Sequence, residues 1–152
     1  MILRSINPYT NEVIKEFEEY PDKKTGNLII QSGEAFEKWE RTKAGYRRSL
    51  MENVAGFLKS NINEYAESIT SEMGKPLKES KAEVEKCAWV CEYYARNAEG
   101  FLKTETVETD ADMSYVHYEP LGTILGIMPW NFPFWQVFRF AVPTLMAGNS
   151  VL

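Results

Sequence analysis

The spacing of apolar positions along the chain changes character three times. Ile2-Leu3 and the run Val13-Ile14-Lys15-Glu16-Phe17 flank a turn cluster, Asn7-Pro8-Tyr9-Thr10-Asn11, which predicts a β-hairpin across residues 2–20. From about residue 26 to 102 apolar residues recur every three or four positions, the period of helices. Leu28, Ile29, Ser32, Ala35, Phe36 and Trp39 share one face of a first helix, with Thr25 as its candidate cap. A second helix runs through Leu50, Val54, Phe57 and Leu58. A third holds Ile62, Tyr65 and Ile69 before Gly74 and Pro76 stop it. The fourth and longest carries Leu77, Val84, Cys87, Cys91, Tyr94, Ala98 and Phe101 on one stripe. These stripes read as packing surfaces, with no cofactor among them.

Near residue 104 the pattern changes again. Thr104 to Asp112 is polar and acidic, and residues 113–119 then alternate as a half-exposed strand does. After Pro120, residues 121–128 form an apolar run of the kind found in strands buried on both faces of a parallel sheet. Trp130-Asn131-Phe132-Pro133 breaks it, and a helix follows over roughly 134–147, with a kink expected at Pro143. Gly148-Asn149 ends that helix, and Ser150-Val151-Leu152 opens another apolar run. A β–α–β unit needs that next strand to close its crossover, so the sequence reads as a cut chain. Residues 121–140 are also long enough to suggest a membrane helix. Pro129, Asn131, Pro133, Gln136 and Arg139 argue against it, because the prolines would strand backbone groups in lipid.

Composition narrows the picture. The 152 residues are 44% hydrophobic and 26% charged, as in a soluble globular protein and unlike a disordered tail. A formal net charge of −5, with only the short basic pairs Lys23-Lys24 and Arg47-Arg48, excludes a nucleic-acid footprint. Cys87 and Cys91 offer neither a disulfide framework nor a zinc site, so no metal is expected. His117 is the sole histidine, and any Ser-His or Cys-His catalysis within the chain would rest on it alone. The start, Met1-Ile2-Leu3-Arg4, has no signal-peptide pattern, which implies a reduced, cytoplasmic protein.

Candidate chemistry lies at residues 129–133. In open α/β sheets ligands bind at the carboxyl ends of strands, where this loop belongs. An amide held between Trp130 and Phe132 and bracketed by two prolines is a fixed donor in a largely dry pocket. Such a donor suits a developing oxyanion. Asn131 equally suits a helix cap ahead of Pro133, and on spacing alone the two readings stand level.

The stretch Glu119-Pro120-Leu121-Gly122-Thr123-Ile124-Leu125-Gly126-Ile127-Met128-Pro129-Trp130-Asn131-Phe132-Pro133 resembles the signature of the aldehyde dehydrogenase superfamily. Ala147-Gly148-Asn149-Ser150-Val151, Glu72-Met73-Gly74-Lys75-Pro76-Leu77 and Asn7-Pro8 with Thr10 fit other segments of the same family in order, so the resemblance covers essentially the whole chain. It implies an α/β fold: a β-hairpin, a four-helix region, an oligomerisation strand, then the first strand and helix of a Rossmann-like parallel sheet. Residues 1–152 would be a partial NAD(P)-binding domain, with part of the oligomerisation segment near 104–119 and the catalytic domain absent.

The resemblance also implies the chemistry. In the family a cysteine thiolate attacks an aldehyde, hydride passes to NAD or NADP, and a glutamate-activated water releases the acid. Asn131 matches the amide that holds the oxyanion, and Ile127, Met128, Pro129 and Trp130 would line the cofactor. Cys87 and Cys91 do not match the nucleophile. Arg139 is similar in position to the arginine that takes the distal carboxylate in succinate-semialdehyde dehydrogenases, with Phe132 and Gln136 sharing the pocket wall. The alternative for Arg139 is a structural pair with an acidic neighbour. The family also implies a homo-oligomer, dimer or tetramer, with no membrane or nucleic-acid partner. The other reading of the chain is a truncated, non-catalytic fragment acting only in binding or oligomerisation.

Overall fold

The computed structural model describes residues 2–152. The predicted hairpin is present: strand β1 (Ile2–Ile6) pairs antiparallel with β2 (Val13–Glu18), from Ile2 opposite Glu18 to Ile6 opposite Val13. Asn7 shapes its turn by accepting the N–H groups of Tyr9 and Thr10 on Oδ1, at 2.9 and 3.2 Å. Four helices follow: α1 (Asp22–Trp39), α2 (Ala44–Ser60), α3 (Ile62–Met73) and α4 (Leu77–Phe101).

Helix α1 starts earlier than its apolar spacing suggests, and Thr25 is not its cap. Pro21 holds extended backbone ahead of Asp22, and the Thr25 hydroxyl instead donates back to the Pro21 carbonyl. A polar first turn, Asp22-Lys23-Lys24, is invisible to apolar periodicity yet favourable, because Asp22 faces the positive end of the helix dipole. The stop of α3 matches the expectation. Gly74 adopts φ 71°, and a Cβ there would stand 3.0 Å from the Pro8 side chain.

Helix α4 is the centre of the packing, against α2, α3 and a later helix, α5 (Pro133–Met146). Its buried stripe is Ser80, Glu83, Val84, Cys87, Ala88, Val90, Cys91, Ala95 and Ala98. Small residues dominate it, which lets neighbouring backbones approach closely. Leu77 and Phe101, expected on that stripe, are exposed at its two ends. On α2 the buried set is Met51, Ala55 and Leu58: Leu58 is buried as expected, while Met51 and Ala55 take the places expected of Leu50 and Val54, one position round. Val54 and Phe57 are exposed, as is Ile29 on α1. The small Ala55 marks the close approach, and the bulkier residues flank it.

Strand material after α4 is shorter than the sequence suggests. The expected strand at 113–119 shrinks to β4 (Tyr115–Val116), paired antiparallel with β3 (Glu105–Thr106) in the stretch read as merely polar. All four of their residues are exposed, with neither face covered, since no further strand joins the ribbon. The expected run at 121–128 yields β5 (Thr123–Ile124), which pairs in parallel with β6 (Ser150–Val151) across α5. Leu121 and Ile127 are exposed, at 88% and 86%, where burial on both faces was expected. A sheet of two strands cannot cover both faces of its members.

The β5–α5–β6 unit is nevertheless tightly tied. Asn149 Oδ1 accepts the N–H groups of Leu121 and Gly122, at 2.6 and 3.1 Å, and locks the entry to β5. Ser150 Oγ bonds the Thr123 hydroxyl and the Ser32 carbonyl of α1. Pro143 lies inside α5 and the helix runs through it. Among the described residues no helix is long and apolar enough to cross a membrane, and residues 121–140 divide into strand, loop and helix instead.

Burial of Cys87 and Cys91 on α4 pushes both thiols up to about 12, mainly because an apolar surround disfavours the thiolate. Neither is expected to react with a thiol-specific reagent in the native protein at mildly alkaline pH, while both react once it is unfolded. Rapid native labelling would contradict the packing of α4.

Candidate functional site

The loop between β5 and α5 carries the candidate residues. On its strand side Gly126 donates to the Leu152 carbonyl at 2.8 Å. Gly126 also lies so close to α5 that a Cβ would meet the Phe140 ring at 2.6 Å, so the exit from β5 needs glycine. Beyond it Ile127, Pro129 and Trp130 are exposed and Met128 is half-buried. Trp130 and Pro133 face the hairpin across a shallow cleft that also touches Ile6 and Phe17. Among the described residues no hydrogen bond anchors residues 127 to 131.

Asn131 does not cap α5. Phe132 is the capping residue and supplies no side-chain bond, and the Asn131 amide is exposed and makes no hydrogen bond among the described residues. The N-terminus of α5 is satisfied from elsewhere. Pro133 has no N–H to satisfy. Phe134 and Trp135 both donate to Glu83 Oε1, at 3.0 Å each, and Gln136 donates to the Phe132 carbonyl. Every N–H of the first turn therefore has a partner.

Glu83 reaches this turn from inside α4, where its side chain is buried. Its other oxygen, Oε2, accepts from Lys75 Nζ, also buried, in the turn between α3 and α4. The same ammonium lies 3.8 Å from the centroid of the Phe132 ring, and Lys86 lies 3.9 Å from that of Trp135. A groove of about 280 Å³ runs between these groups and the start of α5. Spacing alone did not single out Lys75 or Glu83. The available signal was a carboxylate standing on the buried stripe of α4, three residues after Ser80 and four before Cys87, where an apolar residue is the norm.

Phe132, Gln136 and Arg139 lie four and three residues apart and share a face of α5. The opposite side packs inward: Phe134 against Tyr65, with ring centroids 5.3 Å apart, and Phe138 stacked behind it. Arg139 is exposed and has no acidic partner among the described residues, so the structural pairing considered for it is not formed. His117 sits on the β3–β4 ribbon beside the Thr104 hydroxyl, 3.0 Å away, with no part in this loop. No group of three His, Cys, Asp or Glu residues among those described could hold a metal.

The arrangement can offer one uncommitted amide donor, an exposed apolar rim at 127–130 and one uncommitted guanidinium. It cannot offer the first turn of α5 to a phosphate, because Glu83 already fills it. The rim suits the flat, apolar faces of a dinucleotide's rings, and its pyrophosphate would have to be held elsewhere.

A model of the aldehyde dehydrogenase family matches residues 2–152, and the chain belongs to that family. It is 42% identical, over 98% of its own length, to a probable NADP(+)-dependent succinate-semialdehyde dehydrogenase of Synechocystis sp., covering 33% of that protein. It is 39% identical over 97% of its length to the succinate semialdehyde dehydrogenase [NAD(P)+] Sad of Escherichia coli, covering 32% of it. Among solved structures, the succinic semialdehyde dehydrogenase of Streptococcus pyogenes in complex with NADP+ superposes with a TM-score of 0.93 at 34% identity, over 97% of this chain and 33% of that one. Gox0499 superposes with a TM-score of 0.96 at 29% identity, over 99% of this chain and 33% of that one. The chain thus spans about a third of the length of the curated relatives it matches. Its hairpin, helical region and β5–α5–β6 unit have the fold of the corresponding part of these two structures.

The buried Lys75–Glu83 pair makes a stability test available. Glu83→Ala leaves an unpaired ammonium and two orphaned N–H groups, a loss expected at about 3–5 kcal/mol. Lys75→Met combined with Glu83→Gln removes both charges while keeping an acceptor, and is expected to cost much less. Chemical denaturation measures both, and equal losses would contradict this reading of the pair.

Proposed function

We propose that these residues contribute to an NAD(P)-dependent dehydrogenase that oxidises succinate semialdehyde to the carboxylic acid. The observation that carries the reading is the free amide of Asn131, committed neither to the cap of α5 nor to any neighbour. In this reading the amide donates to the oxyanion formed when a thiolate adds to the aldehyde carbon. The residues holding the dinucleotide on this side are Ile127, Met128, Pro129 and Trp130, chiefly through backbone and apolar contact. When bound, the nicotinamide accepts the hydride. They form part of an NAD(P)-binding domain, and the β3–β4 ribbon near 104–119 belongs to an oligomerisation segment of a cytoplasmic homo-oligomer.

Arg139 supports the substrate class. An exposed guanidinium with no carboxylate partner in the chain can take the distal carboxylate of the substrate bidentately. Phe132 and Gln136, on the same face of α5, form the wall beside it. The relatives named for succinate semialdehyde point to the same substrate.

The thiolate does not come from this segment, since both cysteines are buried on α4. The 152 residues alone are therefore expected to produce no NAD(P)H from any aldehyde, and turnover by the isolated chain would overturn this assignment of parts. In the intact enzyme, Asn131→Ala is expected to lower kcat by about 10²–10³. Arg139→Ala should raise KM for succinate semialdehyde by roughly ten- to a hundredfold, the weight of a hydrogen bond to a charged group. A neutral aldehyde of similar length should be nearly unaffected. An unchanged ratio of kcat/KM between the two aldehydes would reject the role of Arg139.

A further inference from the structure

We propose that Lys75 and Glu83 are positioning residues for the Asn131 amide, a role that rests on reading Asn131 as the oxyanion donor. The amide has no anchor of its own: among the described residues no hydrogen bond holds residues 127 to 131. Its position is set by what lies on either side. On the strand side the anchor is Gly126, bonded to Leu152. On the helix side it is the first turn of α5, and Glu83 holds that turn through the N–H groups of Phe134 and Trp135, three and four residues past Asn131.

Lys75 completes the device from two directions. It binds the second oxygen of Glu83, and its ammonium lies against the ring of Phe132, the residue next to Asn131. Both charged side chains are buried, so their geometry is not loosened by exchange with water. Pro129 and Pro133 restrict the backbone between the two anchors. A shift in where α5 begins is therefore carried into the orientation of the amide. A donor misplaced by about 1 Å can cost about 10²-fold in rate.

The device also explains why a charged residue occupies the packed stripe of α4. An isoleucine or leucine at position 83 would fill the same space, but it would leave Phe134 and Trp135 without an acceptor. Lys75 meets the Phe132–Gln136–Arg139 face only at Phe132, the residue next to Asn131, and Glu83 bonds only backbone N–H groups of α5, so their influence on the reaction runs through the loop.

The test is steady-state kinetics of the intact enzyme carrying Glu83→Ala, Glu83→Asp, Glu83→Gln and Asn131→Ala, with Glu83→Ala also combined with Asn131→Ala. Glu83→Ala is expected to lower kcat by about 10²-fold with little change in the KM for aldehyde. Glu83→Gln, which keeps an acceptor for both N–H groups, should recover most of that loss. In the Asn131→Ala background, Glu83→Ala should cause almost no further loss, because the donor it positions is gone; a residue that only maintains the fold would subtract its effect in both backgrounds. Should Glu83→Ala fail to fold, Glu83→Asp takes its place, since its carboxylate is one methylene short of the turn. Wild-type kcat in folded Glu83→Ala or Glu83→Asp, or a full additional loss on top of Asn131→Ala, overturns the proposal. Wild-type kcat in Asn131→Ala overturns the oxyanion reading beneath it.

Discussion

A carboxylate inside a helix interface is tolerated only when a counter-charge and hydrogen-bond donors occupy its oxygens. Glu83 meets both conditions, and in doing so it joins three parts of the molecule. Oε2 holds Lys75 in the turn after α3, while Oε1 holds the N-terminus of α5. The helical block and the β5–α5–β6 unit are thus joined by a charged contact at the point where the candidate loop lies. Apolar packing alone, through Phe134, Phe138, Val142 and Met146, could let α5 slide along α4. Two directed bonds to one oxygen do not permit that. They fix the register of α5 and, with it, the direction in which its Phe132–Gln136–Arg139 face looks.

Under the proposed function, this arrangement bears on how a dinucleotide would bind beside a strand without using the helix that follows it. In many doubly wound sheets the N-terminus of that helix receives a phosphate. Here the position is taken by the protein's own carboxylate. The helix dipole is spent on structure, and the loop ahead of it is left with a single side-chain amide free to meet a developing negative charge. The exposed apolar residues at 127–130 fit ring faces rather than phosphates. In the proposed division of labour the strand end provides a rim, the loop a donor, and the outer face of α5 a guanidinium.

Much of the fold was legible in the sequence because its devices are local. The Asn7-Pro8 turn, the Gly74-Pro76 stop and the Gly148-Asn149 end each lie where the chain changes direction. The helical period gave four helices and the central place of α4. What was not legible depends on contacts distant in sequence. The rotation of the buried face of α2 by one position reflects how α4 approaches Ala55, which apolar spacing does not encode. The strand at 121–128 looked buried because its composition suits a sheet with more members than the two present here. Asn131 had two equal readings from spacing, cap or donor, and the cap is excluded by a residue 48 positions away, because Glu83 fills the first turn of α5. The resemblance to a family pointed to Asn131 and Arg139, and it also drew attention to the Gly74-Lys75-Pro76 segment. It did not say that Lys75 reaches the loop.

The central claim is that Glu83 holds the first turn of α5 and so fixes the segment that carries Asn131. Amide hydrogen exchange at Phe134 and Trp135 measures this directly, since both N–H groups sit at a helix start, where exchange is ordinarily fast. The account expects both amides to be protected to the level of the α4 core, and to lose that protection in Glu83→Ala while the α2 and α4 amides keep theirs. Exchange of Phe134 and Trp135 at unprotected rates in the unaltered protein would contradict it.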